Sequence, residues 1–423
     1  MGLSHAGGPR PHSAMDQILR LEARRFGPSL ATPGRLRPPE PLTNPDLVVD
    51  LTGSARRHSA TVLTVKFCGH NQLEHGIGGV FQPAPGPEIT TLLDGVPVGL
   101  ARPMLEDRVW LSRMANNVLA GAVSLIVQSV DRFFAGQLAP LVQPPQPPSP
   151  PGMLLSLYLG HVSRGIAGRL WRRVRRERPF YWQVAYRRLE TNEAAASGAL
   201  DGAAFTVLPD DGQRFYADPF VFERDRQHFL FVEEFPYATG KGVVSVAELG
   251  PDGLFGTPRV VLDVPYHLSY PQVFDEGGDI FMLPESGGGR ELVLYRATHF
   301  PDRWERDTVL LTGRDINDAT LLRAKGRYWL FCTERFEGGS ASDTLMVFHS
   351  QSLRGPWHEH VRNPIAIDRR AARPGGAFIG TEAEGFTLPV QDGSKSYGGG
   401  LGLVDILRLD EEAVVLSAPR PIA

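Results

Sequence analysis

The sequence predicts a mainly β chain: a five-bladed β-propeller whose last blade is short of its inner strands, preceded by a small N-terminal α/β domain. Three observations predict this. From Phe180 onward, short strand-like runs alternate with turn residues, and helical periodicity is almost absent. Four of these runs recur about fifty residues apart, the spacing of a four-stranded blade. Ahead of them, short apolar strands followed by one long helical run give the order of an α/β unit.

The segments follow in order. Residues 1–45 are rich in Gly, Pro, Arg and Ser and read as disordered, with room for one short helix in "MDQILRLEARRF". Residues 46–137 hold the strand candidates "LVVDL", "ATVLTVKF", "EITTLLDG" and "VPVGLARPML", then helical periodicity over 113–136. Residues 138–179 begin with "APLVQPPQPPSPPG", whose seven prolines forbid helix and sheet interior and make an extended linker. The segment after it starts apolar and then carries seven arginines between Arg164 and Arg178. It reads as a docking helix with a solvated arginine face, or as a weak contact with an anionic membrane surface.

Residues 180–423 carry the repeat. "FYADPFVF" (Phe215–Phe222), "HLSYPQVF" (His267–Phe274), "DINDATLL" (Asp315–Leu322) and "AARPGGAF" (Ala371–Phe378) align, with Asp218, Pro271, Asp318 and Pro374 as markers 53, 47 and 56 residues apart. Each is followed by second and third runs, such as "QHFLFVEEF" and "GVVSVAELG" after the first. A blade cannot bury both faces alone, so blades stack around an axis with their first strands innermost. That arrangement gathers Asp218, Tyr270, Asp318 and Arg373 around one funnel, joined by the ends of the second strands near Glu234, Glu285, Glu334 and Gln391. "YWQVAYRRL" and "AAFTVLP" precede the first blade and supply the outer part of the fifth.

Composition narrows the function. A formal net charge of -3 over 423 residues disfavours a nucleic-acid partner. Two cysteines, Cys68 and Cys332, form no disulfide framework, and a secretory leader and an apolar span are not evident, so a cytoplasmic location is expected. "CGHNQLEH" invites a zinc reading, but a second ligand pair at suitable spacing is missing, so no metal is expected. "SGGGRE" and "SYGGGLG" lack the Lys-Ser or Lys-Thr of a phosphate loop and read as hairpin turns, so no cofactor is expected either.

From Phe180 to about Leu409 the chain resembles the N-terminal domain of glucosamine inositolphosphorylceramide transferase and its bacterial relatives. That domain is similar to the five-bladed propellers of arabinanases and β-xylosidases. The residues that carry the likeness are "YADPFVF", "HLSYPQVF", "MLPES", "INDATLL" with "GRYWLF", and "LPVQDGSKSYGGGLGL". The resemblance implies a glycan or sugar-containing partner and a setting in surface-glycan or glycolipid assembly. It also implies roles: Asp218 matches a general base, and Asp318 a carboxylate that tunes the acid. At the fourth-blade position of the acid Glu stands Arg373, leaving Glu285 or Glu334 as displaced candidates. Residues 46–137 resemble a worn formyltransferase domain, whose Asn–His–Asp set is replaced by "TVKFCGH" and a strand without Asp.

The candidate catalytic residues are therefore Asp218, Asp318 and Glu285, and the candidate substrate-binding residues are Tyr216, Tyr270, Glu334, Arg373 and Gln391. Each has a plainer reading beside it. The two aspartates can cap strand ends, and Glu334 can pair with an arginine such as Arg335. Three functions stay open: a carbohydrate-binding or carbohydrate-processing propeller, a glycosidase or glycosyl-transfer enzyme, and an interaction scaffold.

Overall fold

A computed structural model of the chain describes residues 14–27, 45–51, 60–78, 86–142, 154–175, 181–189, 197–336 and 338–422. The proline run of the expected linker lies outside the described residues. The chain divides into two compact units, 1–177 with 336–340, and 178–335 with 341–423.

In the first unit, Leu47–Asp50 runs parallel to Thr61–Phe67, which pairs antiparallel with Ile89–Leu93, and that with Val96–Arg102. Among the described residues, four helices accompany these strands: α1 (Ala14–Phe26), α2 (Leu73–Gly78), α3 (Leu111–Phe134) and α4 (Leu154–Val174). α3 packs on the last strands closely enough that a Cβ at Gly99 would sit 3.0 Å from Leu125 Cδ1 and 3.1 Å from Ser129 Oγ. The short helix allowed in the leader is α1, and it is tied down rather than free. Leu19 is fully buried, and the Glu22 carboxylate accepts the Leu111 and Ser112 N–H groups at 3.2 and 2.7 Å. The residue at the head of α3, Trp110, offers no side-chain cap, so Glu22 satisfies the helix's free N–H groups instead.

The second unit is a series of antiparallel sheets in chain order. The first is Arg214–Arg224, Gln227–Pro236, Val243–Glu248 and Arg259–Leu262, and the second is Ser269–Glu276, Asp279–Glu285, Glu291–His299 and Arg303–Thr312. In the third, Ile316–Ala324, Arg327–Glu334 and Thr344–Ser350 are followed by short partners at His358–Glu359 and Ala366–Asp368. The fourth is Ile379–Thr381, Gly385–Gln391 and Leu401–Leu409, edged by Val414–Leu416 and Arg420–Pro421. Each of the first three sheets opens with a two-residue hairpin turn, both residues at positive φ: Asp225–Arg226, Gly277–Gly278 and Lys325–Gly326. These are the turns whose twist matches the flanking strands.

Strand alternation then stacks the sheets. Phe229 and Phe231 of the first sheet pack with Ile280 and Met282 of the second. Phe281 and Leu283 of the second pack with Leu330 and Cys332 of the third. Trp329 and Phe331 of the third pack with Leu388 and Val390 of the fourth. On the free face of the first sheet, Leu230 and Val232 meet Val184 and Leu208. These last two flank a hairpin of only two residues per strand, Ala185–Tyr186 paired with Thr206–Val207. Among the described residues of this unit there are thus four sheets of four or five strands and one two-stranded hairpin.

Between blades, a large side chain is fixed by both neighbours. Phe231→Ala leaves a cavity there and is expected to lower stability by about 3–5 kcal/mol in urea unfolding. Val221→Ala, on an exposed face of the same sheet, is expected to stay within about 0.5 kcal/mol of the parent.

Candidate functional site

The site begins with a backbone irregularity that recurs. The first strand of each of the first three sheets slips register at one place: between Ala217 and Phe220, Ser269 and Gln272, and Asn317 and Thr320. Inside each slip sits a non-glycine residue in the left-handed region, Asp218 (φ 48°), Tyr270 (φ 49°) and Asp318 (φ 48°). Each such residue costs about 1–3 kcal/mol, and a bulge of this kind re-aims the side chain it carries. By backbone geometry Tyr270, not Pro271, is therefore the counterpart of Asp218 and Asp318. The fourth sheet has no such residue. Its first strand approaches the second by a single bridge, Pro374 to Val390, before Ile379–Thr381.

The three bulges and the fourth strand are linked by hydrogen bonds running from sheet to sheet. The Asp218 carboxyl accepts the Tyr270 backbone N–H. Glu285 Oε2 accepts the Asp318 N–H at 3.0 Å. Asp318 receives the Arg373 guanidinium on both oxygens, Nε to Oδ2 at 2.5 Å and Nη2 to Oδ1 at 3.0 Å. The same Nη2 reaches Glu285 Oε2 at 3.2 Å, and Gln391 Nε2 donates to Asp318 Oδ2 at 2.6 Å. Asp318 and Arg373 are buried, whereas Asp218 and Glu285 are partly accessible. Above them the Tyr397 ring, 50% exposed, lies with its centre 5.5 Å from the Arg373 guanidinium carbon.

Burial raises both aspartates alike, and their hydrogen-bond partners separate them. Burial, then the charges of Asp318 and Glu233, push the Asp218 carboxyl up to about 8, against Arg373 and the Tyr270 N–H. Burial also pushes Asp318 upward. With a bidentate guanidinium and the Gln391 amide on its oxygens, however, Asp318 is the member of the pair that keeps its charge. Asp218 holds the proton.

Several sequence expectations need correction. Tyr216 is not at the site: it pairs across the strand from Glu234 and lies in the core with Val184 and Leu208. Alternation turns it away from the axis. Tyr270 is at the axis but offers no open ring for stacking. It is 2% exposed, its hydroxyl lies 2.8 Å from Thr320 Oγ1, and it accepts the Gly376 N–H at 2.7 Å. It ties three sheets together. Glu334 binds Arg314 through two bonds, at 2.9 and 2.6 Å, and Arg335 lies instead 3.5 Å from Asp315. The same brace recurs in the first sheet between Arg214 and Glu234. Asp218, Asp318, Glu285, Arg373 and Gln391 do come together.

Three residues of the site escaped the sequence reading. Glu233 pairs opposite Ala217 as Glu285 pairs opposite Ser269, so these two glutamates are equivalent. His267 Nε2 lies 3.3 Å from Glu233 Oε1, and its Nδ1 accepts the Gly242 N–H at 2.9 Å. Burial lowers the His267 pKa, but the neighbouring carboxyls, Glu233 first, together raise it overall. Tyr397 lies in the glycine-rich loop read as a plain turn. The sequence signal for Glu233 was available in "EE": only one of two adjacent residues can face the axis. Among the described residues, no group of three or more His, Cys, Asp or Glu side chains is placed to hold a metal ion. His70 and His75 stack on each other, ring centres 4.0 Å apart.

The raised Asp218 pKa has a consequence for stability. Its ordinary value is 3.8 and its folded value about 8, so between these pH values the folded chain holds a proton that the unfolded chain has lost. Stability from this group is full below the lower value and drains away as pH rises through the upper one. Asp218→Asn removes that loss. Its melting temperature relative to the parent is expected to rise between pH 5 and about pH 8, read by thermal unfolding. A gap that stays constant across the window would place the proton elsewhere.

The comparisons with known proteins concern the second unit. The family model described as glucosamine inositolphosphorylceramide transferase 1, N-terminal, matches residues 203–415. The chain is 36% identical over 213 residues to glucosamine inositolphosphorylceramide transferase 1 of Oryza sativa subsp. japonica, covering 49% of this chain and 28% of that protein. It is 35% identical over 190 residues to the Arabidopsis thaliana protein of the same name, covering 44% of this chain and 24% of the relative. The chain thus spans under a third of either relative. Among solved structures, it is similar to an exo-beta-1,3-galactanase from Clostridium thermocellum, with a TM-score of 0.40 and 16% identity over 49% of this chain and 50% of that one. It is also similar to an alpha-L-arabinanase from Cellvibrio cellulosa, with a TM-score of 0.38 and 18% identity over 49% of this chain and 78% of that one. With half of its length matched by the family model, the chain belongs to the glucosamine inositolphosphorylceramide transferase 1 N-terminal domain family.

Proposed function

We propose that the polar cluster where the four sheets meet is a sugar-binding site, and that the chain serves in the assembly of a surface glycan or glycolipid. One observation carries this reading. Asp218, Glu285, Asp318, Arg373 and Gln391 arrive from four different sheets at one place beside a half-exposed aromatic ring. Partly accessible carboxyls suit sugar hydroxyls, and the face of Tyr397 suits the C–H face of a pyranose. The relatives' printed name, a glucosamine inositolphosphorylceramide transferase, accords with a sugar and a glycolipid.

A second reading, acid–base chemistry on a glycosidic bond, is favoured by Asp218 keeping its proton to about pH 8. A general acid must be protonated at working pH. This reverses the base role that the family resemblance implied. Glu285 or Glu233 would be its partner, and inversion would require their carboxyls to lie roughly 6.5–9.5 Å from that of Asp218. Arg373, occupying the position expected for the family's acid, is committed to Asp318 and Glu285.

The proposal extends to the surrounding architecture. The ring is five-bladed, with the hairpin at 185–207 in the fifth position. Val184 and Leu208 pack on the first blade, and Trp182 lies edge-on to Tyr397 of the fourth, ring centres 6.3 Å apart. The first unit is a non-catalytic formyltransferase relic. A cytoplasmic setting fits two cysteines that are both buried and in no disulfide.

Titration of the full chain with a panel of neutral and amino sugars and their oligomers, followed by ligand-observed NMR, tests the site. Asp218→Asn and Tyr397→Ala are each expected to weaken the best ligand about tenfold with circular dichroism unchanged. Sugar binding untouched by both variants would move the site elsewhere, and a wild type blind to the whole panel would favour a scaffold. Turnover of an aryl glycoside that is lost in Asp218→Asn would establish the second reading.

A further inference from the structure

We propose that α4 is an interfacial helix that lays the chain on an anionic lipid surface. One side of α4 is held within its own unit. Tyr158 donates to Glu22, His161 Nε2 donates to the Arg108 carbonyl, and Gly165 packs so closely on Val109 that a Cβ would lie 2.9 Å from it. The opposite side carries Leu159, Ile166, Leu170 and Val174, spaced to fall on one helical stripe. All four are exposed, and Val174 is 78% exposed. An apolar stripe pointing away from the packed side is the reverse of what burial within the chain produces.

Charge selects the occupant. Residues 154–175 contain five arginines, Arg164, Arg169, Arg172, Arg173 and Arg175, and no Asp or Glu. At 100° per residue, Arg173 borders one edge of the stripe, while Arg164 and Arg175 lie beyond the other. Trp171 stands at that second edge, exposed, with the Arg175 guanidinium 4.6 Å from its ring centre. Arginines and a tryptophan along the flanks of an apolar face match the headgroup level of an anionic bilayer. A second copy of the helix would bring like charges together along the same seam. Among the described residues no helix is long and apolar enough to cross a membrane, so the contact lies in the plane of the surface.

Vesicle sedimentation of the full chain tests this, with phosphatidylcholine alone or mixed with phosphatidylglycerol. The wild type is expected to pellet only with the mixed vesicles, and less as salt rises. Leu170→Glu and Val174→Glu should each lower the bound fraction about tenfold, and Arg164→Gln or Arg173→Gln about fivefold. All four positions are exposed, so folding is unaffected. The proposal is overturned if the wild type stays in the supernatant or if Leu170→Glu pellets like the parent. It is also overturned if light scattering finds a dimer that Leu170→Glu dissolves, which would assign the stripe to a second copy.

Discussion

The Arg373 guanidinium is the group on which the centre of the second unit depends. A buried cation is expensive to desolvate, by several kcal/mol even after relaxation. Here two carboxylates from two other sheets compensate it, with Asp318 gripping it in the planar two-bond geometry that only arginine offers. Its consequences spread outward. Because Asp318 keeps its charge against the guanidinium, the proton of the cluster rests on Asp218. Because Glu285 also meets the guanidinium, the second and fourth sheets are joined at a point where neither exchanges backbone bonds with the other. Tyr270 repeats this joining in uncharged form, its hydroxyl taken up by Thr320 and Gly376.

The repeat made the sheets legible in the sequence. Alternating apolar residues, two-residue turns and a recurring first strand sufficed to place four blades and to bring Asp218, Asp318 and Arg373 together. The faces of individual side chains were less legible, for a definite reason. Each bulge adds a residue to one strand, so alternation counted through it comes out one step wrong. Glu234 and Glu334, which brace Arg214 and Arg314, adjoin Glu233 and Thr333, the residues that pair opposite Ala217 and Asn317, and nothing in the second strands themselves marks which of two neighbours faces the axis. Tyr397 escaped because a glycine-rich loop has no periodicity to read.

In the first unit the decisive contact was hidden by sequence distance. α3 has no capping side chain beside it, and its free N–H groups are met by Glu22, about ninety residues earlier. Local rules find caps within a few residues of a helix. A carboxylate in what reads as a disordered leader gives no local sign that it will be buried against a distant helix.

The three left-handed bulges have an implication for how such a chain can change. The geometry there belongs to the main chain: it is the same whether the residue is Asp218, Tyr270 or Asp318. A polar acid and a bulky phenol occupy equivalent sockets without altering the backbone that holds them. Point substitution at a socket therefore exchanges the chemistry presented to the axis and leaves the blades standing. Descendants of one scaffold can drift among binding, proton transfer and simple bracing without passing through an unfolded ancestor.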